Sequence, residues 1–163
     1  MSLELDTPKL LAALVTRGVD FVVIGGMAAV VHGSPRMTRD LDVSFAVDRG
    51  NLDVLGAALV ALGARLRGVP EDVRFVPDAR TLQGVEVLTL DTDGGPLDVL
   101  ARPSGAPPYA ELRRGADRYE LGGFAVLVAS IPHLIAMKRA AGRPKDLADI
   151  AELEAITRLR RRA

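Results

Sequence analysis

The chain contains no cysteine and no tryptophan, and aromatic side chains make up only 4% of its 163 residues. Without cysteine, disulfide frameworks and metal sites built on thiolates are excluded. The scarcity of aromatic residues argues against the stacking surfaces on which single-strand nucleic-acid binders hold bases. The two histidines, His32 and His133, show no order typical of a Ser-His-Asp triad. We therefore expect structural roles for both.

An excess of one charge is also missing, because 21 Lys and Arg balance 21 Asp and Glu. A net charge of zero disfavours a general binder of polyanions. The distribution is nevertheless uneven: residues 138–163 contain eight Lys and Arg against four acids. This C-terminal basic patch slightly favours RNA as a partner.

Long hydrophobic runs are absent as well. No apolar stretch approaches the ~20 residues that a membrane-spanning helix needs. The N-terminus lacks the basic segment and apolar core of a secretory signal. We therefore expect a cytoplasmic protein without a membrane partner.

What is present is a globular composition, with 48% apolar and 26% charged residues. The length favours a single domain that spans residues 1–163. Strand and helix patterns interleave, which predicts an α/β (α+β) fold with a mixed β-sheet, flanking helices and a C-terminal helical pair. Helices are predicted at 7–17 (capped by Thr7), 27–32, 51–62, 130–141 and 144–159, and strands at 20–24, 40–47, 73–76, 85–90, 97–101, 118–121 and 124–128.

Asp40 and Asp42 stand two residues apart in the predicted strand 40–47. Strand alternation puts both side chains on one face, about 6–7 Å apart at ~3.3 Å per residue. Carboxylates this close repel each other, and a hard cation beside them relieves the repulsion. Mg²⁺ is suited to such a site because it takes oxygen ligands and is usually completed by substrate phosphates. The alternative interpretation is a polar strand face that is open to water.

Gly25 and Gly26 follow the apolar run 20–24 at a predicted strand-to-helix junction, and thirteen residues separate Gly26 from the first of the paired acids. A helix N-terminus presents unpaired N–H groups, and glycine lets a phosphate approach the backbone. This arrangement resembles the nucleotidyltransferase superfamily, the DNA polymerase β-like fold, whose signature is an apolar strand, Gly-Gly or Gly-Ser, a spacer and Asp-x-Asp. The resemblance implies that Asp40 and Asp42 are catalytic metal ligands and that the glycines bind the nucleotide.

The superfamily usually has a third carboxylate on a later strand, and the candidate here is Asp98. It is a single acid within an apolar strand, and a buried carboxylate without a partner is costly, so an ion or partner is expected. The resemblance implies that Asp98 is a catalytic residue and a metal ligand. The alternative is an acid on an edge strand that faces water.

The segment 134–150 is similar to the closing helices of the AbiEii-like nucleotidyltransferases, which include toxins of type IV toxin–antitoxin systems. This similarity implies that Lys138 and Asp149 are nucleotide-binding positions, with Asp146 as the less secure match for the acid.

Independently of the resemblance, Lys138 shares a helix face with apolar residues, so its amine should meet a phosphate or a carboxylate. Two alternatives stay open. Lys138 can pack its stem and extend its amine to water, and Lys145 can form a surface pair with Asp149.

Three polar residues, Arg36, Thr38 and Arg39, directly precede the paired acids. They are candidates for contacts with triphosphate oxygens. Arg36 and Thr38 also resemble the family's usual Pro-Arg-x-Thr-x-Asp run. Ordinary loop residues would show the same pattern.

Together, these resemblances imply a Mg²⁺-dependent nucleotidyltransferase with a two-metal site that moves NMP from an NTP to an acceptor hydroxyl. The acceptor can be a tRNA, in which case the protein is a toxin with a cognate antitoxin as partner. One alternative is a small-molecule (antibiotic-type) nucleotidyltransferase. The other is a non-catalytic nucleotide-binding or partner module of the same fold, against which the presence of all three acids counts.

Overall fold

The computed structural model describes residues 4–162, so residues 1–3 and 163 of the predicted 1–163 domain lie outside it. Its strands form one seven-stranded sheet with the order β3-β4-β5-β2-β1-β7-β6. The pairs β1/β7 and β2/β5 are parallel and the other neighbours are antiparallel, so the predicted mixed sheet is confirmed. The strands are β1 (Phe21–Ile24), β2 (Leu41–Phe45), β3 (Arg65–Leu66), β4 (Val87–Thr92), β5 (Gly95–Leu100), β6 (Asp117–Leu121) and β7 (Phe124–Val128).

Seven helices flank this sheet over the described range, and the predicted C-terminal pair is among them. Helix starts follow the expected capping chemistry: Ser130 accepts a hydrogen bond from the His133 backbone N–H, and a proline occupies the first turn. The helices are α1 (Thr7–Val15), α2 (Gly25–His32), α3 (Arg49–Ala61), α4 (Ala79–Leu82), α5 (Tyr109–Arg114), α6 (Ile131–Ala141) and α7 (Pro144–Arg162).

The centre of the sheet is the most buried part of the fold. All four residues of β1 are buried, as expected for a strand that is covered on both faces. Helix α2 contacts β1, β2, α6 and α7, while α1 contacts α3 and β7. Leucines supply most of the largest fully buried side chains. The junction between β1 and α2 is therefore held from several directions.

Two local predictions are wrong. The N-cap of α1 is Asp6 rather than Thr7, since the Asp6 carboxylate accepts the backbone N–H of Lys9 at 3.1 Å. Residues 73–76 form no strand, because the short β3 takes the place beside β4.

The segment that follows residues 73–76 instead crosses α3 closely. A Cβ on Gly56 would overlap the backbone oxygen of Pro77, so a glycine in the middle of α3 permits this approach. Three further elements, β3, α4 and α5, had no predictive sequence pattern, and all are six residues or shorter. No helix within residues 4–162 has the length and apolarity needed to cross a membrane.

Candidate active site

Three carboxylates meet at the centre of the sheet. Asp42 of β2 lies directly opposite Asp98 of β5, and on its other side it is paired with Ile24 of β1. Asp40 precedes β2 by one residue. Each of the three acids offers an oxygen, and these oxygens lie within 4.8 Å of one another. Because β5 is an interior strand, the alternative of an edge-strand Asp98 facing water does not apply.

Asp42 is the most perturbed of the three acids. Burial, and then the neighbouring charges of Asp40 and Asp98, raise its pKa to about 7. One of its oxygens, Oδ1, is buried without a hydrogen-bond partner. A buried carboxylate oxygen without a donor, next to two further acids, fits a hard divalent cation that takes oxygen ligands.

Asp98 has a cationic partner that the sequence analysis did not anticipate. Arg67 Nη2 donates to Asp98 Oδ1 at 3.1 Å, while Arg67 Nε donates to Asp91 Oδ1 at 3.2 Å. Burial raises the pKa of Asp98, and the Arg67 guanidinium opposes this shift. Arg67 lies 31 positions before Asp98 in the sequence, and no motif connects the two.

The glycine pair forms the first turn of α2, beside these carboxylates. No side chain caps the helix at Ile24, so the first backbone N–H groups of α2 are available to an anion. Gly25 has a φ of +68°, and a Cβ at this position would overlap Asp42 Oδ2. At Gly26 a Cβ would lie 3.0 Å from Thr38 Oγ1. The paired glycines therefore let the helix N-terminus and the acid pair approach each other.

The loop between α2 and β2 contributes the predicted polar residues in different ways. The Thr38 hydroxyl donates to the backbone oxygen of Asp40 at 3.0 Å, so it braces the first acid. Arg36 forms ion pairs with Asp149 Oδ1 at 2.7 Å and with Glu152 Oε1 at 3.5 Å. Arg39 is exposed on the rim of the cleft.

Helices α6 and α7 bring a second charged cluster to the same cleft. Lys138 Nζ donates to Asp149 Oδ2 at 2.9 Å and lies 3.6 Å from Asp146 Oδ1. The Lys138 amine therefore meets carboxylates, and Asp149 pairs with Lys138 and Arg36 rather than with Lys145. Asp146 is buried, and hydrogen bonds from Arg143 hold its pKa at about 2.

These groups line one cleft of about 610 Å³. All ten residues predicted for catalysis or nucleotide binding border it, and they come from α2, the loop 33–40, β2, β5, α6 and α7. The residues are Gly25, Gly26, Arg36, Thr38, Arg39, Asp40, Asp42, Asp98, Lys138 and Asp149.

Glu152 is a cleft residue that the sequence analysis missed. Its Oε2 accepts a hydrogen bond from the Ser34 hydroxyl at 3.1 Å, and its other oxygen faces Arg36. Glu152 stands three residues after Asp149 on α7, so helical spacing from Asp149 was the one signal that could have indicated it.

Replacement of Gly25 by alanine is expected to destabilise the protein by about 2 kcal/mol or more, because it combines a positive φ with an overlap at Asp42. Gly26→Ala is the matched control, since its φ is not positive and its new Cβ meets only a threonine side chain. Thermal unfolding of both variants tests this. Equal melting temperatures for the two variants would contradict the packing described for Gly25.

The raised pKa of Asp42 predicts an unusual pH dependence of stability without metal. The folded carboxyl keeps its proton up to about pH 7, whereas the unfolded chain loses it near pH 4. Between pH 4 and pH 7 the folded state thus binds more protons than the unfolded state. The contribution of Asp42 to the free energy of unfolding is therefore full below pH 4 and is lost as the pH rises to 7.

In EDTA, we expect the melting temperature of the wild type, relative to Asp42→Asn, to fall between pH 5 and pH 8. Subtracting the melting temperature of Asp42→Asn at each pH removes the contribution of the other titrating groups. Parallel curves for the two proteins would show that Asp42 titrates normally.

Similarity to known proteins is clearest at the level of the fold. The lincosamide antibiotic adenylyltransferase LnuA, solved with lincomycin bound, superposes with a TM-score of 0.59 at 14% identity, covering 94% of this chain and 99% of that one. ANT(2'')-Ia in complex with adenylyl-2''-tobramycin superposes with a TM-score of 0.55 at 20% identity, covering 94% of both chains. An antigenic nucleotidyltransferase-like protein from Paracoccidioides brasiliensis gives 0.53 at 21% identity, covering 98% and 79%.

None of the curated proteins compared with the chain matches it. A family model does match, over residues 9–162, and it is described as nucleotidyl transferase AbiEii toxin of a type IV toxin–antitoxin system. The match extends over nearly the whole sequence and includes the glycine pair, the three acids and the C-terminal helices. The chain therefore belongs to the AbiEii family of nucleotidyltransferases.

Proposed function

We propose that this nucleotidyltransferase moves NMP from an NTP to an acceptor hydroxyl in a Mg²⁺-dependent reaction. The observation that carries the proposal is the meeting of Asp40, Asp42 and Asp98 within 4.8 Å, beside the uncapped N-terminus of α2. One end of the site suits a metal and the other suits phosphate, and both border the same cleft.

The three acids are the residues that would hold Mg²⁺. The all-oxygen donor set and the orphaned Oδ1 of Asp42 fit this ion. When bound in a two-metal arrangement, Mg²⁺ stabilises charge on the attacking and leaving oxygens of the phosphoryl group. Binding also requires Asp42 to be ionised, which its raised pKa opposes in the metal-free protein.

The remaining cleft residues bind and orient the triphosphate. Backbone N–H groups at Gly25 and Gly26 point to phosphate oxygens, as at other helix N-termini. Lys138 and Arg36 supply positive charge across the cleft, and Asp149 contacts both and sets their direction. Exposed Arg39 is placed to reach a phosphate from the rim.

The reaction itself is a displacement at the α-phosphorus. The acceptor oxygen forms the new P–O bond, the bond between the α-phosphorus and its bridging oxygen to the β-phosphate breaks, and pyrophosphate leaves. The proton of the acceptor hydroxyl passes to the Asp98 carboxylate. Asp98 suits this role because it borders the same cleft as Asp40 and Asp42.

For the acceptor, we propose a tRNA, and for the protein a toxin role with a cognate antitoxin. The family to which the chain belongs supports the toxin role and the antitoxin partner, and the basic C-terminal patch favours RNA as the acceptor. The compartment we propose is the cytoplasm, where NTP and tRNA are both present. A single domain is supported by one hydrophobic cluster that includes residues from Leu10 to Leu153.

A small-molecule acceptor is the second candidate. Two antibiotic adenylyltransferases, LnuA and ANT(2'')-Ia, share the fold, which shows that this architecture accommodates small acceptors. The difference between the candidates lies in the acceptor alone, so one transfer assay separates them.

Asp42→Ala is expected to lower transfer of label from NTP by about 1,000-fold, because it removes a ligand from the metal centre. Purified protein is incubated with Mg²⁺ and each labelled NTP, in the presence of total tRNA, extract protein or aminoglycosides. Asp53→Ala, an exposed acid on α3, is the control and should keep full activity.

Each outcome of that assay has a meaning. Label on tRNA supports the toxin proposal, and label on an aminoglycoside supports the second candidate. Undiminished transfer by Asp42→Ala contradicts the metal assignment, and failure to bind any NTP at millimolar concentration contradicts the proposed reaction.

Lys138→Met is expected to raise the KM for NTP about 10-fold, because it removes one charged contact to the triphosphate. Arg139→Met, at the adjacent exposed position on α6, is the control. Thermal unfolding of both variants is measured in parallel, since Asp146 and Asp149 also lose a cation. Equal KM values for the two variants would remove Lys138 from the nucleotide site.

A further inference from the structure

Arg67 contacts Asp98, the third carboxylate, and two acceptors on the neighbouring strand β4. Its Nη2 donates to Asp98 Oδ1 at 3.1 Å and to the backbone oxygen of Leu90 at 2.8 Å. Its Nε donates to Asp91 Oδ1 at 3.2 Å. Three acceptors thus fix one guanidinium, and such a fork has far less rotational freedom than an exposed arginine.

The sheet register determines the direction from which Arg67 approaches. Thr89, Asp98 and Asp42 lie in one row across β4, β5 and β2, and the backbone N–H of Arg67 donates to Thr89 O at 2.9 Å. Residues in one row share a face of the sheet. Arg67 therefore contacts Asp98 from the side opposite Asp42.

Among the described residues, Arg67 is the cation that pairs with Asp98, and Asp42 is a further side-chain hydrogen-bond partner. Asp40 lies close by, and its negative charge disfavours an ionised Asp98. Arg67 holds Oδ1, so the Asp98 carboxylate is anchored on the β4 side while it stays within reach of Asp40 and Asp42. A ligand carboxylate held by a hydrogen-bonded partner in this way is oriented before the metal arrives.

We propose that Arg67 is a positioning residue that orients Asp98 for the metal centre and for the acceptor. This inference rests on the proposed function of the three acids. It assigns Arg67 no contact with NTP, and it treats the β3 end of the sheet as part of the catalytic apparatus.

The test combines metal binding and kinetics for Arg67→Ala and Arg67→Lys. Mn²⁺ binding to the nucleotide-free protein is measured by electron paramagnetic resonance, and kcat and KM for NTP are measured with the acceptor identified above. Arg65→Ala is the matched control, because Arg65 lies on β3, two residues before Arg67, but pairs loosely with Asp93 at 3.8 Å, with both side chains half exposed. Circular dichroism and thermal unfolding verify that each variant folds.

For Arg67→Ala we expect Mn²⁺ affinity about 10-fold weaker, as for other residues that support metal ligands. We expect kcat to fall about 10-fold or more with KM for NTP changed less than about 2-fold, since only the orientation of Asp98 is lost. Arg67→Lys keeps the positive charge and one donor nitrogen, so it should recover part of the Mn²⁺ affinity and part of kcat. If Arg67→Ala does not fold, the same comparison is made with Arg67→Lys.

Three results would overturn the inference. Tighter Mn²⁺ binding in Arg67→Ala would show that Arg67 acts only as a competing positive charge. A rise in KM with unchanged kcat would make Arg67 a nucleotide contact, and values equal to those of Arg65→Ala would leave it no role. If the wild type itself binds no Mn²⁺, the proposed metal centre fails. That outcome differs from equal Mn²⁺ binding by the wild type and Arg67→Ala, which would contradict only the role of Arg67.

Discussion

The mutual repulsion of three carboxylates on neighbouring strands is the constraint around which this structure is arranged. Asp42 and Asp98 are paired across β2 and β5, with Asp40 at the entry to β2. Neighbouring side chains and a bound proton each offset part of that repulsion. Arg67 pairs with Asp98, Lys138 lowers the cost of ionising Asp42, and Asp42 itself holds a proton up to about pH 7. The charge that remains uncompensated is the charge that we propose a divalent cation neutralises.

The second charged cluster has the opposite character, because its cations are already paired. Asp149 contacts Lys138 and Arg36, and Asp146 is hydrogen-bonded to Arg143. Burial of acids is tolerated only with such partners. The same contacts that stabilise the α6–α7 pair therefore hold two positive side chains at the edge of the cleft. Under the proposed function, stability and nucleotide binding draw on the same residues, so substitutions here would change both.

The positions of most site residues could be predicted from local sequence, but the contacts that individual residues make could not. The glycine pair and the Asp-x-Asp run indicated the β1–α2 junction and the acids Asp40 and Asp42, since both depend on spacing of a few residues. Arg67 escaped prediction because it approaches Asp98 through β3, a strand of two residues with no periodicity to detect. Residues 73–76 were predicted as a strand, but they lie in an irregular segment before α4 and belong to none of the seven strands.

The sequence by itself determined the types of the longer helices and strands, the glycine junction and the positions of the acids, because helix periodicity, strand alternation and glycine φ preferences act over short distances. The tertiary structure alone decided which side chains meet. Parallel pairing of β2 with β5 brought Asp98 to Asp42 across 56 residues, and the packing of α6 and α7 turned Lys138 and Arg36 to a shared carboxylate. Such pairings depend on register and helix packing between segments distant in the chain, and no local pattern encodes them.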